Sequence, residues 1–146
     1  MQKGITMFVK QLSVFLENKT GRLNDVLSII SGNGINILSI SIADTSEFGV
    51  LRMLCEDPAK AHEFLKEKGI TSRVNDVIVV SIPQAVGSLE KVVRSLEQND
   101  INIQYVYGLS LDDEGASIAM KTDNLEKTLE VLKNENVKLY SQDEIG

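Results

Sequence analysis

The residues best suited to bind a ligand lie in one short loop, Asn18-Lys19-Thr20-Gly21-Arg22, directly before an apolar helical pattern. Backbone N–H groups at a helix N-terminus attract an anion such as a carboxylate. Gly21 lets a ligand approach the backbone closely, and the amide of Asn18 offers both a donor and acceptors. A second amide, Asn36, follows the helical pattern at the start of the next strand. These groups together suit a zwitterion, because the N–H groups meet its carboxylate and the amide oxygens meet its ammonium.

The same arrangement occurs twice, 66 residues apart. The register sets Gly21-Arg22-Leu23 on Gly87-Ser88-Leu89, Ile35-Asn36-Ile37 on Ile101-Asn102-Ile103, Gly49 on Gly115 and Asp57 on Asp123, and it slips by one residue only where Gly69-Ile70 falls on Asn136-Val137. Two copies of one small unit would each bury a core and face one another across a pseudo-twofold axis. The repeat therefore predicts two domains, residues 1–73 and 74–146.

A purely structural interpretation of these residues stays open. Asparagine and glycine are turn formers, and Gly34-x-Asn36 is also typical of a turn that leaves a helix. Spacing alone divides the two interpretations about evenly. The recurrence of Asn36 as Asn102 favours the ligand-binding interpretation slightly.

Residues that could support catalysis are few. His62 is the only histidine and lies within a helical pattern, while Cys55 lies in an apolar strand beside Met53 and Leu54. A nucleophilic thiol needs an accessible, electropositive setting, so a buried and inert thiol is expected. The acidic triplet at 112–114 is typical of a solvated turn. The sequence contains no phosphate-binding loop, CxxC pair or nucleophile elbow, and we expect no metal, no cofactor and no catalytic residue.

Composition limits the possible partners. The 146 residues are 42% hydrophobic and 25% charged, with a net charge of −6 and no run of basic residues, which argues against nucleic-acid binding. A single cysteine excludes an intramolecular disulfide and suits a reducing compartment. The N-terminal residues lack an apolar signal region, and no stretch approaches the ~20 apolar residues of a membrane span. We expect a cytoplasmic protein without a membrane partner.

Hydrophobic periodicity predicts the elements that position these residues. In the first unit it indicates a strand over 7–16, a helix with Thr20 as N-cap and Gly32 and Gly34 at its end, strands over 35–43 and 48–56, and a helix opened by Asp57-Pro58. The segment 70–82 should be the last strand of the first unit and the first strand of the second. The second unit then repeats the order, with a helix over 88–99, strands over about 101–111 and 115–122, a helix opened by a capping box Asp123-x-x-Glu126, and a strand over 137–142. Each unit is thus β-α-β-β-α-β, the ferredoxin-like order of an α+β fold with helices on one face of an antiparallel sheet.

The loop Glu17-Asn18-Lys19-Thr20-Gly21-Arg22-Leu23, followed by Gly34-Ile35-Asn36-Ile37, resembles the ACT domain, a regulatory module of amino-acid metabolism. It is most similar to the serine-binding regulatory domain of phosphoglycerate dehydrogenase, in which a loop asparagine and a strand asparagine hold the amino acid. The resemblance covers the whole chain as two tandem modules. It implies that such modules pair side by side through their second strands, with two related ligand sites at the seam.

The resemblance also assigns residues to each site. One site would combine Asn18, Lys19, Thr20, Gly21, Arg22 and Leu23 with Asn102 and Ile103, and the other would combine Gln84, Ala85, Val86, Gly87, Ser88 and Leu89 with Asn36 and Ile37.

Departures from the family pattern indicate that the two sites differ. Thr20 stands where the family usually has proline, and Leu16 stands where the dehydrogenase has a ligand-contacting histidine, which puts serine as the ligand in doubt. Gln84 replaces the loop asparagine in the second copy. Lys19 and Arg22 add positive charge to the first loop, which predicts stronger attraction of a carboxylate there.

Three functions follow, in order of preference. The first is a non-catalytic amino-acid sensor or allosteric regulatory protein, able to form a homodimer. The second is an interaction subunit that binds a partner metabolic enzyme. The third is a small ferredoxin-like enzyme such as an acylphosphatase, which would need Arg22 to hold an anion.

Overall fold

The computed structural model describes residues 8–44, 47–111, 115–135 and 137–145. The acidic triplet at 112–114, the N-terminal residues and Asn136 lie outside the described residues. The elements, in chain order, are β1 (Phe8–Glu17), α1 (Arg22–Gly32), β2 (Ile37–Asp44), β3 (Phe48–Cys55), α2 (Pro58–Glu67), β4 (Ser72–Ile82), α3 (Ser88–Gln98), β5 (Ile103–Leu109), β6 (Ala116–Thr122), α4 (Leu125–Lys133), β7 (Lys138–Tyr140) and α5 (Gln142–Ile145).

The chain divides into two compact units. The first unit comprises residues 10–75, and the second unit comprises residues 8–9 with Asp76–Ile145. The strand order is β2-β3-β1-β4 in the first unit and β7-β4-β6-β5 in the second. Both orders are ferredoxin-like, as predicted. The long strand β4 supplies the last strand of the first unit and the first strand of the second, also as predicted, while the exact domain limits at 73 and 74 stay a prediction.

Each unit buries one apolar face of its sheet under two helices. In β1 and β4 the alternating residues that were predicted to face inward are buried in both units: Leu12, Val14 and Leu16 in the first, and Ile78, Val80 and Ile82 in the second. The helices contribute apolar residues spaced three or four apart. The first core receives Val26, Ile30, Ala61 and Leu65, and the second receives Val92, Leu96 and Leu132.

The four longer helices begin in two different ways. α1 and α3 each follow a glycine in the left-handed conformation, Gly21 at φ 93° and Gly87 at φ 84°, with no side-chain cap. α2 and α4 are capped by side chains, since Asp57 accepts from the Lys60 N–H at 3.3 Å and Asn124 accepts from the Lys127 N–H at 3.0 Å.

Two of the predicted caps are wrong. Gly21, not Thr20, occupies the N-cap position of α1. Asn124, not Asp123, caps α4, because the Asp123 carboxylate instead accepts from the backbone N–H of Asn102. The prediction that Asp57 and Pro58 open α2 is confirmed.

The pairing of the strands shows where the spacing of the repeat changes from 66 to 67 residues. Ile40 pairs with Met53, and Val106 pairs with Met120. The spacing is therefore 66 from Ile40 to Val106 but already 67 from Met53 to Met120. The extra residue lies between β5 and β6, earlier than predicted, so the counterpart of Gly49 is Ala116 rather than Gly115, and the counterpart of Asp57 is Asn124.

Candidate functional site

The loop before α1 is held by its backbone, which leaves its side chains exposed. The Asn18 N–H donates to the Glu47 carbonyl at 3.0 Å, and the Arg22 N–H donates to the Lys19 carbonyl at 3.2 Å. The side-chain amide of Asn18 makes no hydrogen bond to any described residue. The loop thus presents a free amide beside a helix N-terminus without a side-chain cap.

The positive charge of this loop is already partly balanced. Lys19 Nζ lies 3.4 Å from the Glu17 carboxylate, and the Arg22 guanidinium lies 3.3 Å from the Asp25 carboxylate. All four side chains are about half exposed or more, so water screens these pairs. The attraction of the first loop for a carboxylate is therefore smaller than the sequence indicates.

The loop before α3 has the same backbone turn with different side chains. The Ser88 N–H donates to the Ala85 carbonyl at 3.1 Å, matching the turn from Arg22 to Lys19. Val86 at its tip is fully exposed, and Leu89 is 42% exposed. The Gln84 amide forms no hydrogen bond within the described part of the chain. The second loop thus presents a longer amide on a more apolar surface.

The asparagines at the strand starts are held in the same way in both units. The Asn36 N–H donates to the Glu56 carboxylate at 3.0 Å, and the Glu56 N–H donates to the Asn36 carbonyl at 3.1 Å. Asn102 and Asp123 form the same reciprocal pair at 3.1 and 3.0 Å. These bonds use only the backbone of each asparagine. The side-chain amides of Asn36 and Asn102 form no hydrogen bond with any described residue.

Other asparagines behave differently. The side chains of Asn33, Asn99 and Asn134 donate to helix carbonyls four residues earlier, at 2.7, 2.8 and 3.3 Å. These three close the ends of α1, α3 and α4, which is the structural role that turn-forming asparagines usually have. Asn18, Asn36 and Asn102 do not have that role in the described structure.

The loop and the strand start of one unit lie too far apart to share one small ligand. The 11 residues of α1 separate Asn18 from Asn36. At ~1.5 Å per residue, the helix is about 16 Å long. α3, also of 11 residues, separates Gln84 from Asn102 in the same way.

Two cavities of the second unit are each lined by two or more predicted site residues. Asn102 and Ile103 line a cavity of about 440 Å³ together with Glu97, Asp100 and Asp123. Ala85, Gly87 and Leu89 line another of about 600 Å³, along the same helix. The acidic lining residues were not predicted to belong to a site. Asp123 was marked only as a helix cap, and only the fold places the three beside Asn102.

The two residues considered for catalysis, His62 and Cys55, have structural roles. His62 Nδ1 lies 2.7 Å from the Ser72 hydroxyl, which ties α2 to β4. Cys55 is buried, and this burial raises the pKa of its thiol to about 11. The described residues contain no group of side chains arranged to hold a metal ion, and no described helix is long and apolar enough to cross a membrane.

Comparison with known proteins gives a consistent result. A family model of the ACT domain pair matches residues 7–146. The crystal structure of protein BT0572 from Bacteroides thetaiotaomicron is 34% identical, over 97% of this chain and 98% of that chain, with a TM-score of 0.89. No curated protein sequence matches significantly.

More distant structures share the fold. The ligand-free regulatory subunit of aspartate kinase from Thermus thermophilus is 13% identical over 89% of this chain and 94% of that chain, with a TM-score of 0.60. The structure of aspartokinase alpha and beta subunits is 18% identical, over 88% of this chain and 96% of that chain, with a TM-score of 0.56.

Proposed function

Because the chain belongs to the ACT domain pair family, we propose that it is a non-catalytic sensor that binds an amino acid and regulates a metabolic enzyme. Its ligand is held by the loop of one module and the strand start of another. The finer assignment, in which Asn18 and Asn102 serve one site and Gln84 and Asn36 the other, is part of this proposal.

The contrast between the helix N-termini carries the proposal. Asp57 and Asn124 satisfy N–H groups of α2 and α4 with their side chains. α1 and α3, which follow the two candidate loops, have glycine at the same position and no side-chain cap. Helix N–H groups that no side chain caps are available to a ligand carboxylate. The uncapped helices are therefore the two that the repeat assigns to ligand binding.

The separation along α1 supports a ligand shared between modules. An amino acid is only several ångströms long, whereas about 16 Å of helix separates Asn18 from Asn36. A loop amide and a strand-start amide can therefore contact the same amino acid only when they come from different modules. The second module belongs either to the same chain or to a second copy.

Association with other chains is supported by the edge of β2. Among the described strands of its unit, β2 pairs only with β3, and its residues Ile40 and Ile42 are 42% and 47% exposed. Exposed apolar residues on an edge strand favour pairing with another strand. We infer a homodimer or a complex with a partner enzyme in the cytoplasm, where the single thiol stays reduced. The Thermus thermophilus structure of similar fold is a regulatory subunit of aspartate kinase, which supports regulation of an enzyme carried on a separate chain.

An acylphosphatase-like activity is disfavoured by the position of Arg22. That chemistry needs an arginine free to hold the anion. The Arg22 guanidinium instead pairs with Asp25 one helical turn away, at 3.3 Å.

A thermal-shift screen of the twenty amino acids tests the proposal. A ligand at 100 times its dissociation constant should stabilise the fold by about 2.7 kcal/mol and raise the midpoint by several degrees. Asn18→Ala should weaken binding by about 1–3 kcal/mol, because the ligand loses a hydrogen-bond partner, and should leave the unliganded midpoint unchanged.

Asn33→Ala is the matched control. It removes the bond from the Asn33 amide to the Ile29 carbonyl, so it should lower the unliganded midpoint and leave affinity unchanged. The proposal fails if none of the twenty amino acids shifts the midpoint. It also fails if Asn18→Ala behaves like Asn33→Ala, since Asn18 would then be only a turn residue.

A further inference from the structure

A cavity of about 510 Å³ lies at one end of the first unit, separate from the strand-start asparagines. It opens between the start of α1, the residues after α2 and the ends of β1 and β3. Leu16, Val26 and Ile70 line it with apolar side chains that belong to or pack on the core. Phe15 and Phe48 add aromatic rings that are 48% and 51% exposed. The cavity is thus large enough for a small organic molecule, and one part of its wall is apolar while the rest is polar or charged.

The charged side chains of the cavity leave one cation available. Arg22 pairs with Asp25 inside the cavity, and Glu17 pairs with Lys19. Lys68, the C-cap residue of α2, also lines the cavity and forms no ion pair with any described residue. An ammonium beside an apolar wall suits a ligand that carries a carboxylate on an apolar body.

The second unit provides an internal comparison. Its equivalent end is also concave but is divided into cavities of about 380 and 100 Å³, with Pro83 lining both. Lys68 corresponds to Glu135, whose carboxylate accepts from the Ser95 hydroxyl at 3.1 Å. Phe48 corresponds to Gly115. The ferredoxin-like fold therefore creates the concavity twice. The second unit's cavities are lined by Lys91 and Lys138 but by no aromatic side chain, so only the first unit combines a lysine with aromatic rings in one cavity, among the described residues.

We propose that this cavity binds a small carboxylate with an apolar body, such as an apolar amino acid or its 2-oxo acid. The carboxylate contacts the Lys68 ammonium, and the apolar body packs against Phe15 and Phe48. The site lies within one module and does not use Asn18 or Asn36, and Arg22 is the one residue that it has in common with those assigned to the site shared between modules. It is thus a second ligand site, beyond the one shared between modules.

Titration calorimetry on the full chain tests this site with four probes: L-leucine, L-phenylalanine, 4-methyl-2-oxopentanoate and phenylpyruvate. At least one should bind, and Lys68→Met should weaken that binding about tenfold or more, because a charge-assisted contact is lost. Phe48→Ser should also weaken it. If the amino acids bind more strongly than the oxo acids, Glu17 or Asp25 contacts the ammonium. If both classes bind equally, the carboxylate and the apolar body suffice for binding. Either result supports the site.

Two controls separate this site from other effects. Lys66→Met removes a positive charge from the last turn of α2 without touching the cavity lining, and Asn18→Ala weakens only the site shared between modules. Neither should change the binding lost with Lys68→Met. Equal loss with Lys66→Met, loss with Asn18→Ala, or no binding of any probe at millimolar concentration would overturn the inference. Because Lys68 and Phe48 are exposed, we expect their substitution to leave the melting midpoint unchanged. An unchanged midpoint would show that the variant proteins are folded.

Discussion

The two units share their backbone features and differ in the side chains placed on them. Both begin their first helix at an uncapped left-handed glycine, and both tie a strand-start asparagine to an acidic residue through reciprocal backbone bonds. Asn18, Lys19 and Arg22 of the first loop give way to Gln84, Ala85 and Ser88 in the second. The features that any carboxylate would use are therefore repeated, while those that select the rest of the ligand have diverged.

The cores show the same relation. Cys55 and Ala61 of the first unit correspond to Thr122 and Thr128 of the second, at the 67-residue spacing. The two threonine hydroxyls are 2.7 Å apart and buried, so the second core contains a satisfied polar pair where the first contains a thiol and a methyl group. Equivalent positions thus tolerate different chemistry when both members of a contact change together.

The largest expected effect comes from truncating equivalent core residues. Leu65 and Leu132 are fully buried at matching positions in α2 and α4. Leu65→Ala and Leu132→Ala should each lower the free energy of unfolding by about 2–5 kcal/mol, because each leaves a cavity. If the units fold as separate domains, each variant should loosen mainly its own unit.

Natural probes distinguish the units. Cys55 lies in the first unit, and all three tyrosines, Tyr105, Tyr107 and Tyr140, lie in the second. The thiol is buried with a pKa near 11, so a thiol reagent at pH 8 should label it only when the first unit opens. Leu65→Ala should shift the urea dependence of labelling more than that of tyrosine fluorescence, and Leu132→Ala the reverse. Equal shifts of both probes in both variants would show one cooperative domain.

A smaller effect should sharpen the contrast between capped and uncapped helices. Asp57→Ala and Asn124→Ala should each destabilise the protein by about 1 kcal/mol, because each removes a side-chain cap. Thr20→Ala should have almost no effect, since Gly21 holds the cap position. Chemical denaturation of the three variants measures this difference. A loss of about 1 kcal/mol with Thr20→Ala would restore Thr20 as the cap and contradict the uncapped start of α1.

The order of elements could be predicted from sequence because periodicity and the repeat both indicate it. For that reason the sequence correctly predicted that Leu12 and Ile78 lie on the buried faces of β1 and β4. The caps of α1 and α4 were missed because Thr20 and Asp123 are good capping residues that stand one position too early. For α4, strand pairing reveals the correct position, since the extra residue between β5 and β6 makes Asn124 the counterpart of Asp57. For α1, the left-handed backbone of Gly21 reveals it.

The candidate site was only partly readable from the sequence. The motif and its repeat identify Asn18, Asn36 and Asn102, but not whether their amides are free. The partners of Lys19 and Arg22 depend on the loop conformation. The cavity beside Lys68 joins residues that lie near the beginning, the middle and the end of the first unit's sequence. No spacing in the sequence brings those residues together.

The central claim is that the two modules provide two unequal amino-acid sites, of which the tighter uses the first loop. Its most direct test is calorimetric titration of the wild type, Gly21→Val and Gly87→Val with the amino acid that gives the largest thermal shift. A β-branched residue at φ near 90° strains either loop. We predict two classes of site well separated in affinity, or one tight class per chain, with the tight class lost in Gly21→Val and kept in Gly87→Val. Two identical, independent sites, or a tight site that survives Gly21→Val and is lost in Gly87→Val, would contradict the claim.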